Sequence, residues 1–92
     1  DKAENYFQRA LELNALDAQL LNNYGVFLCE KSSYKEAEAY FGRVLKNPLY
    51  KGKARVYENL GMCAKLKGNL AESEKHFRRA LRMNPKLAKS LL

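Results

Sequence analysis

The chain has 92 residues, 47% hydrophobic and 29% charged, with a net charge of +7, which is enough for one domain with a modest core. It carries no apolar run long enough to span a bilayer and no signal peptide, so a membrane-spanning class is excluded for these residues. Eight of the bases but only two of the acids lie from Lys65 onward, which concentrates positive charge in the last third.

In chain order, residues 2–13 are expected to form a helix with Ala3, Phe7, Ala10 and Leu11 on one face. Phe7 to Asn14 aligns with Phe77 to Asn84, so residues 1–14 read as the second helix of a repeat whose first helix is missing. The chain is accordingly expected to be a piece of something longer. Asp17 is placed to cap a helix over 18–30, and Ser33, with Glu36 three positions on, a capping box for a helix over 34–46. These two helices make a first whole unit, residues 18–48. The connection Asn47-Pro48-Leu49-Tyr50-Lys51-Gly52 is about two residues longer than a 34-residue period allows. Leu49 and Tyr50 are expected to fold back from it onto the neighbouring helices.

A second unit spans 54–85, with helices over 53–67 and 70–83 about the turn Lys67-Gly68-Asn69, where Gly68 supplies the left-handed conformation that ends the first helix. Pro85 closes the unit. Residues 86–92 then begin a further helix, with Leu87, Leu91 and Leu92 apolar and exposed. Both unfinished ends leave apolar surface that a neighbouring repeat would cover, so self-association through these ends is expected at high concentration.

The two units are copies. Leu21, Tyr24, Gly25, Leu28, Ala37, Phe41 and Val44 return 36 positions later as Tyr57, Leu60, Gly61, Ala64, Ser73, Phe77 and Ala80. A glycine on the first helix facing a small residue on the second lets two backbones approach, and each helix pair leaves an apolar face that only the next pair can cover. The pattern resembles the tetratricopeptide repeat, which implies an all-α superhelix of antiparallel helix pairs forming a single domain over residues 1–92.

With Gly25 and Gly61 fixing the phase, the exposed lining of the concave side is expected to be Gln19, Asn22, Val26, Arg55, Glu58, Met62 and Lys65. Such a mixture suits an extended or helical peptide with a few apolar anchors. Lys75, Arg78, Arg79 and Arg82 follow helical spacing and form an outward basic stripe. The stripe is either a solvated face or a contact for acidic protein or anionic lipid headgroups. Nothing looks catalytic: His76 is the only histidine, and no metal-ligand cluster, cofactor loop or activated nucleophile is apparent, so a non-enzymatic binding module is expected. Cys29 and Cys63 fall on adjacent first helices, whose axes pack about 8–10 Å apart. Spacing alone leaves open a bridge between them and two separate buried thiols.

From Asn22 to Glu30, Asn47 to Tyr50 and Tyr57 to Ala64 the chain also resembles the type IV pilus assembly lipoproteins of the PilF and PilW pilotin class. That resemblance implies a non-catalytic scaffold that helps the outer-membrane secretin or another pilus component assemble. It further implies a periplasmic protein held at the outer membrane by an N-terminal lipid upstream of Asp1. The periplasm is oxidising, and under that resemblance a Cys29–Cys63 disulfide is expected. The alternative is a cytosolic adaptor of the co-chaperone kind that binds a peptide carboxylate, against which stand Asn22 and Glu58 where a clamp needs a base. Nucleic-acid binding fits the charge but lacks interleaved aromatics and any motif.

Overall fold

The computed structural model describes residues 1–87. These form α1 (Lys2–Leu13), α2 (Ala18–Glu30), α3 (Tyr34–Leu45), α4 (Lys53–Lys67) and α5 (Leu70–Met83), closed by a 3-10 turn at Pro85–Leu87. No helix among them is long and apolar enough to cross a membrane. Helix α2 packs on α3 and α4 on α5, and the pairs meet where both α2 and α3 touch α4. This is a stack of helix pairs, all-α as the repeat implies. Helix α1 adds to the α2 side and buries none of its residues fully, with Tyr6 and Leu13 exposed. At the other end, residues 88–92, where a further helix with Leu91 and Leu92 is expected, lie outside the described residues. Leu87 corrects that expectation in part, since it is buried against α5 rather than exposed.

Local sequence explains most of the helix ends. The Asp17 carboxylate accepts from the Leu20 amide at 3.0 Å. At α5 the Asn69 side chain caps the helix: Asn69 Oδ1 accepts from the Glu72 amide at 3.1 Å, and Asn69 Nδ2 donates to the Glu72 carboxylate at 2.9 Å. Gly68 sits at φ 90°, and the Asn69 amide reaches back to the Ala64 carbonyl at 2.9 Å. The same closure occurs one repeat earlier with a different residue. Ser32 takes φ 66°, and the Ser33 amide donates to the Leu28 carbonyl at 2.8 Å. Ser33 is thereby committed to ending α2, and with ψ 62° it makes no side-chain cap bond. The expected Ser33–Glu36 box is therefore not formed.

The core is one cluster running through both pairs, centred on Leu21, Tyr24, Leu28, Phe41, Val56 and Cys63. A Cβ at Gly25 would come within 2.5 Å of the Phe41 ring, and one at Gly61 within 2.6 Å of the Phe77 ring. In each pair the ring of the second helix lies against the backbone of the first, and only glycine leaves room for it. Ser73 seals the second contact by donating its hydroxyl to the Gly61 carbonyl at 2.7 Å. The long connection departs from expectation. Tyr50 is half-buried against the core, but Leu49 does not fold back and is 85% exposed. The Leu49 amide is tied to Asn47 Oδ1 at 3.0 Å, which holds the loop in a tight turn with the leucine outward.

Two groups hold their protons more firmly in this fold than in the unfolded chain. Burial pushes the Tyr24 phenol above its ordinary 10.0. The Lys67 ammonium is raised above 10.5, first by its hydrogen bond to Glu38 at 2.9 Å, with Glu72 nearby at 3.6 Å. For both, the contribution to stability is complete below the unfolded value and is lost as pH rises through the higher folded value. The melting temperature is therefore expected to hold steady to about pH 9.5 and fall beyond about pH 10. Replacing Lys67 with methionine removes part of that alkaline fall. Melts followed by circular dichroism across this range check it, and a stability that rises above pH 10 contradicts it.

Candidate functional site

Helices α2 and α4 lie side by side and present the groove. At their N-terminal ends it is polar. Gln19 and Arg55 are exposed, Gln19 Nε2 donates to Asn23 Oδ1 at 3.1 Å, and Arg55 pairs with Glu58 at 3.0 Å. Asn22 is not part of the exposed lining as expected: it is 4% exposed because Asn59 Nδ2 reaches across from α4 and donates to Asn22 Oδ1 at 3.0 Å. The asparagine is a joint between repeats rather than a contact surface. Glu58 is also recessed, its side chain 16% exposed. One carboxylate oxygen meets Arg55, and the other is buried with no hydrogen-bond partner, the one such side-chain atom among the described residues. An unmet acceptor of this kind is costly in a plain structural role.

Toward the C-terminal ends the groove becomes apolar. A depression of about 520 Å³ is lined by Val26, Cys29, Glu30, Ser32, Tyr34, Met62 and Leu66. Val26 and Met62 were expected here, and exposed Lys65 lies on the same helix turn. Leu66, Glu30, Ser32 and Tyr34 were not expected. The signal for the first two was present, since Glu30 and Leu66 stand four positions after Val26 and Met62 and so share their helix face. Tyr34 could not be read from spacing. It belongs to α3 and enters the groove wall because its hydroxyl donates to the Leu66 carbonyl at 3.3 Å. Cys29 and Cys63 are joined by a disulfide below this surface, with Cα atoms 5.6 Å apart and both residues 1% exposed.

The basic stripe on α5 is exposed along its length but not free. Arg78 pairs with Glu74, and the Arg79 guanidinium sits 5.1 Å over the Tyr57 ring. Lys75 and Arg82 remain beside a shallow hollow that also includes Ala71 and Glu74. His76 is 3.5 Å from Glu72 on the same helix, a local pair.

Stacked helix pairs with a two-toned groove, an amide joint between repeats and a cross-link beneath define a helical-repeat protein of the scaffold class. The family model described as tetratricopeptide repeat matches residues 16–86, and the chain belongs to that family. Its repeats serve protein–protein interaction. Among curated proteins, the chain is similar to the type IV pilus assembly protein PilF of Pseudomonas aeruginosa, 34% identical over 82 residues, which is 89% of this chain and 32% of that protein. It is also similar to an uncharacterized protein of Haemophilus influenzae, 33% identical over 58 residues, 63% of this chain and 32% of the relative. The chain thus spans about a third of the length of these relatives. No solved structure matches.

Proposed function

We propose that the protein containing this chain is a non-catalytic scaffold in type IV pilus biogenesis, assisting secretin assembly at the outer membrane. In this reading it resides in the periplasm, held to the outer membrane by a lipid at the N-terminus of the full-length protein. The observation that carries the reading is the 34% identity to a pilus assembly protein over 89% of the chain. A buried Cys29–Cys63 disulfide suits an oxidising compartment. The groove is the contact for the partner: its polar end offers Gln19 and Arg55, and its apolar end offers Val26, Met62 and Leu66. An extended segment with polar groups at one end and an apolar side chain at the other matches that order. The cytosolic carboxylate-clamp alternative is disfavoured, because Asn22 is used inside the stack and Glu58 would repel a carboxylate.

Deleting the gene in its own host is expected to remove surface pili and to reduce oligomeric secretin in membrane extracts. Electron microscopy and native gels read the two effects. Full-length protein carrying Arg55→Glu with Glu58→Arg is expected to restore pili poorly while remaining folded. Normal pili in the deletion strain overturn the pilus reading, and full restoration by the double reversal overturns the groove as the contact.

A further inference from the structure

The loops at one end of the helix pairs form a surface that the groove does not use. Arg43 Nη2 donates to the Ala15 carbonyl at 3.1 Å, which brings the α1–α2 loop against the end of α3. Leu16 on that loop and Leu49 on the long connection border one hollow of about 450 Å³, floored by Ala18, Leu21 and Val44. The two leucines are 79% and 85% exposed. From Ala39 to Tyr57 the sequence has five bases and no acid. Arg55 is paired with Glu58, and Arg43 is held by Ala15 and lies over Tyr40. Lys46, Lys51 and Lys53 take part in no ion pair among the described residues. On the α5 stripe Arg78 meets Glu74 and Arg79 lies over Tyr57, while Lys75 and Arg82 have no such partner among the described residues, and the hollow beside them has no exposed apolar tips set in it as Leu16 and Leu49 are here.

We propose that this edge docks on an anionic phospholipid surface, with Leu16 and Leu49 entering the headgroup region and Lys46, Lys51 and Lys53 meeting lipid phosphates. Charge complementarity selects the occupant. Two separate apolar tips, with Lys46 bordering their hollow and Lys51 and Lys53 within four residues of Leu49, have the composition of an interfacial anchor. The cations are lysines, compact charges on flexible stems, which suit a fluid array of phosphates better than the fixed geometry of a carboxylate on a folded partner. The proposal does not rest on the pilus reading. It concerns a different surface, and it survives or fails on lipid alone.

The test uses the purified, oxidised chain in sedimentation with vesicles of phosphatidylcholine, either pure or with about one third phosphatidylglycerol, at low salt. Binding to the anionic vesicles and release by added salt are expected. Lys46→Gln with Lys51→Gln weakens that binding about 25-fold, at about fivefold for each lysine removed near the surface. Leu16→Ser with Leu49→Ser weakens it about tenfold with the charge unchanged. All four side chains are exposed, so melting curves matching the wild type establish that the fold is intact. Equal retention on both vesicle types overturns the proposal, as does absence of retention on either. Leucine variants that bind like the wild type overturn insertion of the tips. Loss of binding on neutralising Lys75 and Arg82, with the edge variants unaffected, moves the contact to α5 and overturns it. Retention of a glutamate-rich peptide in place of vesicles assigns the edge to an acidic protein and overturns it equally.

Discussion

Replacing both Cys29 and Cys63 with alanine is expected to destabilise the chain by about 4 kcal/mol, from the chain entropy restored to the unfolded state. The bridge spans a sequence separation of 34 residues and joins the two repeats at adjacent first helices, so its loss frees one unit from the other. For a chain of this size the melting temperature should fall by about 15 to 30 °C. Thermal melts with and without reductant separate the bridge from the side chains: the wild type in reductant should approach the variant, and the variant should ignore reductant. A drop of less than about 1 kcal/mol shows that packing between α2, α3 and α4 already holds the repeats together without the cross-link.

Phe41→Ala is expected to cost about 3 to 5 kcal/mol, since the ring is 0% exposed and fills the space between α2 and α3. The more informative measurement couples it to Gly25. In the wild type, Gly25→Ala places a Cβ within 2.5 Å of the Phe41 ring, which has no free side to move into, so the variant is overpacked and loses stability. In the Phe41→Ala background the same methyl enters a cavity, and the higher helix propensity of alanine acts unopposed. Gly25→Ala should then be neutral or stabilising, a non-additivity of more than about 1 kcal/mol in a double-mutant cycle. Gly61→Ala is the control, because Phe77 is half-buried and can give way, so it should cost less than Gly25→Ala. Additive effects at Gly25 and Phe41 refute the close-packing account.

These two contacts also show what a sequence of this kind reveals. Glycine and phenylalanine recur at a spacing of 36, so the close approach of two helices, the fold class and the phase of the groove follow from one repeated pattern. Asp17 and Gly68 act through neighbours within a few residues, and their capping and turn roles were legible for that reason. What was missed depended either on a partner distant in sequence or on a local bond that competes with the expected one. Asn22 has the register of a groove residue, and only the arrival of Asn59, 37 positions later, buries it. Leu49 looks like a residue that should return to the core, but a side-chain bond from Asn47 fixes the turn that exposes it. Charge was misleading in a similar way. The last third is richest in bases, yet two of its arginines, Arg78 and Arg79, are taken up by Glu74 and Tyr57, partners that net charge does not reveal.

The position of the cross-link has a mechanical consequence. When the chain is pulled from its two ends, the segment between Cys29 and Cys63 is bypassed by the covalent path and bears no load. The extension released on complete rupture is thus shortened by roughly 110 to 120 Å, from about 3.3 to 3.6 Å for each of the shielded residues. Helix α3, with the aromatic ring at its centre, and most of α4 lie inside that shielded loop. Tension can peel α1, the part of α2 before Cys29, and α5 from the outside, but the two first helices stay tethered at the bridge until the sulfurs part. A stack built this way yields at its ends while α3 and most of α4 bear no load.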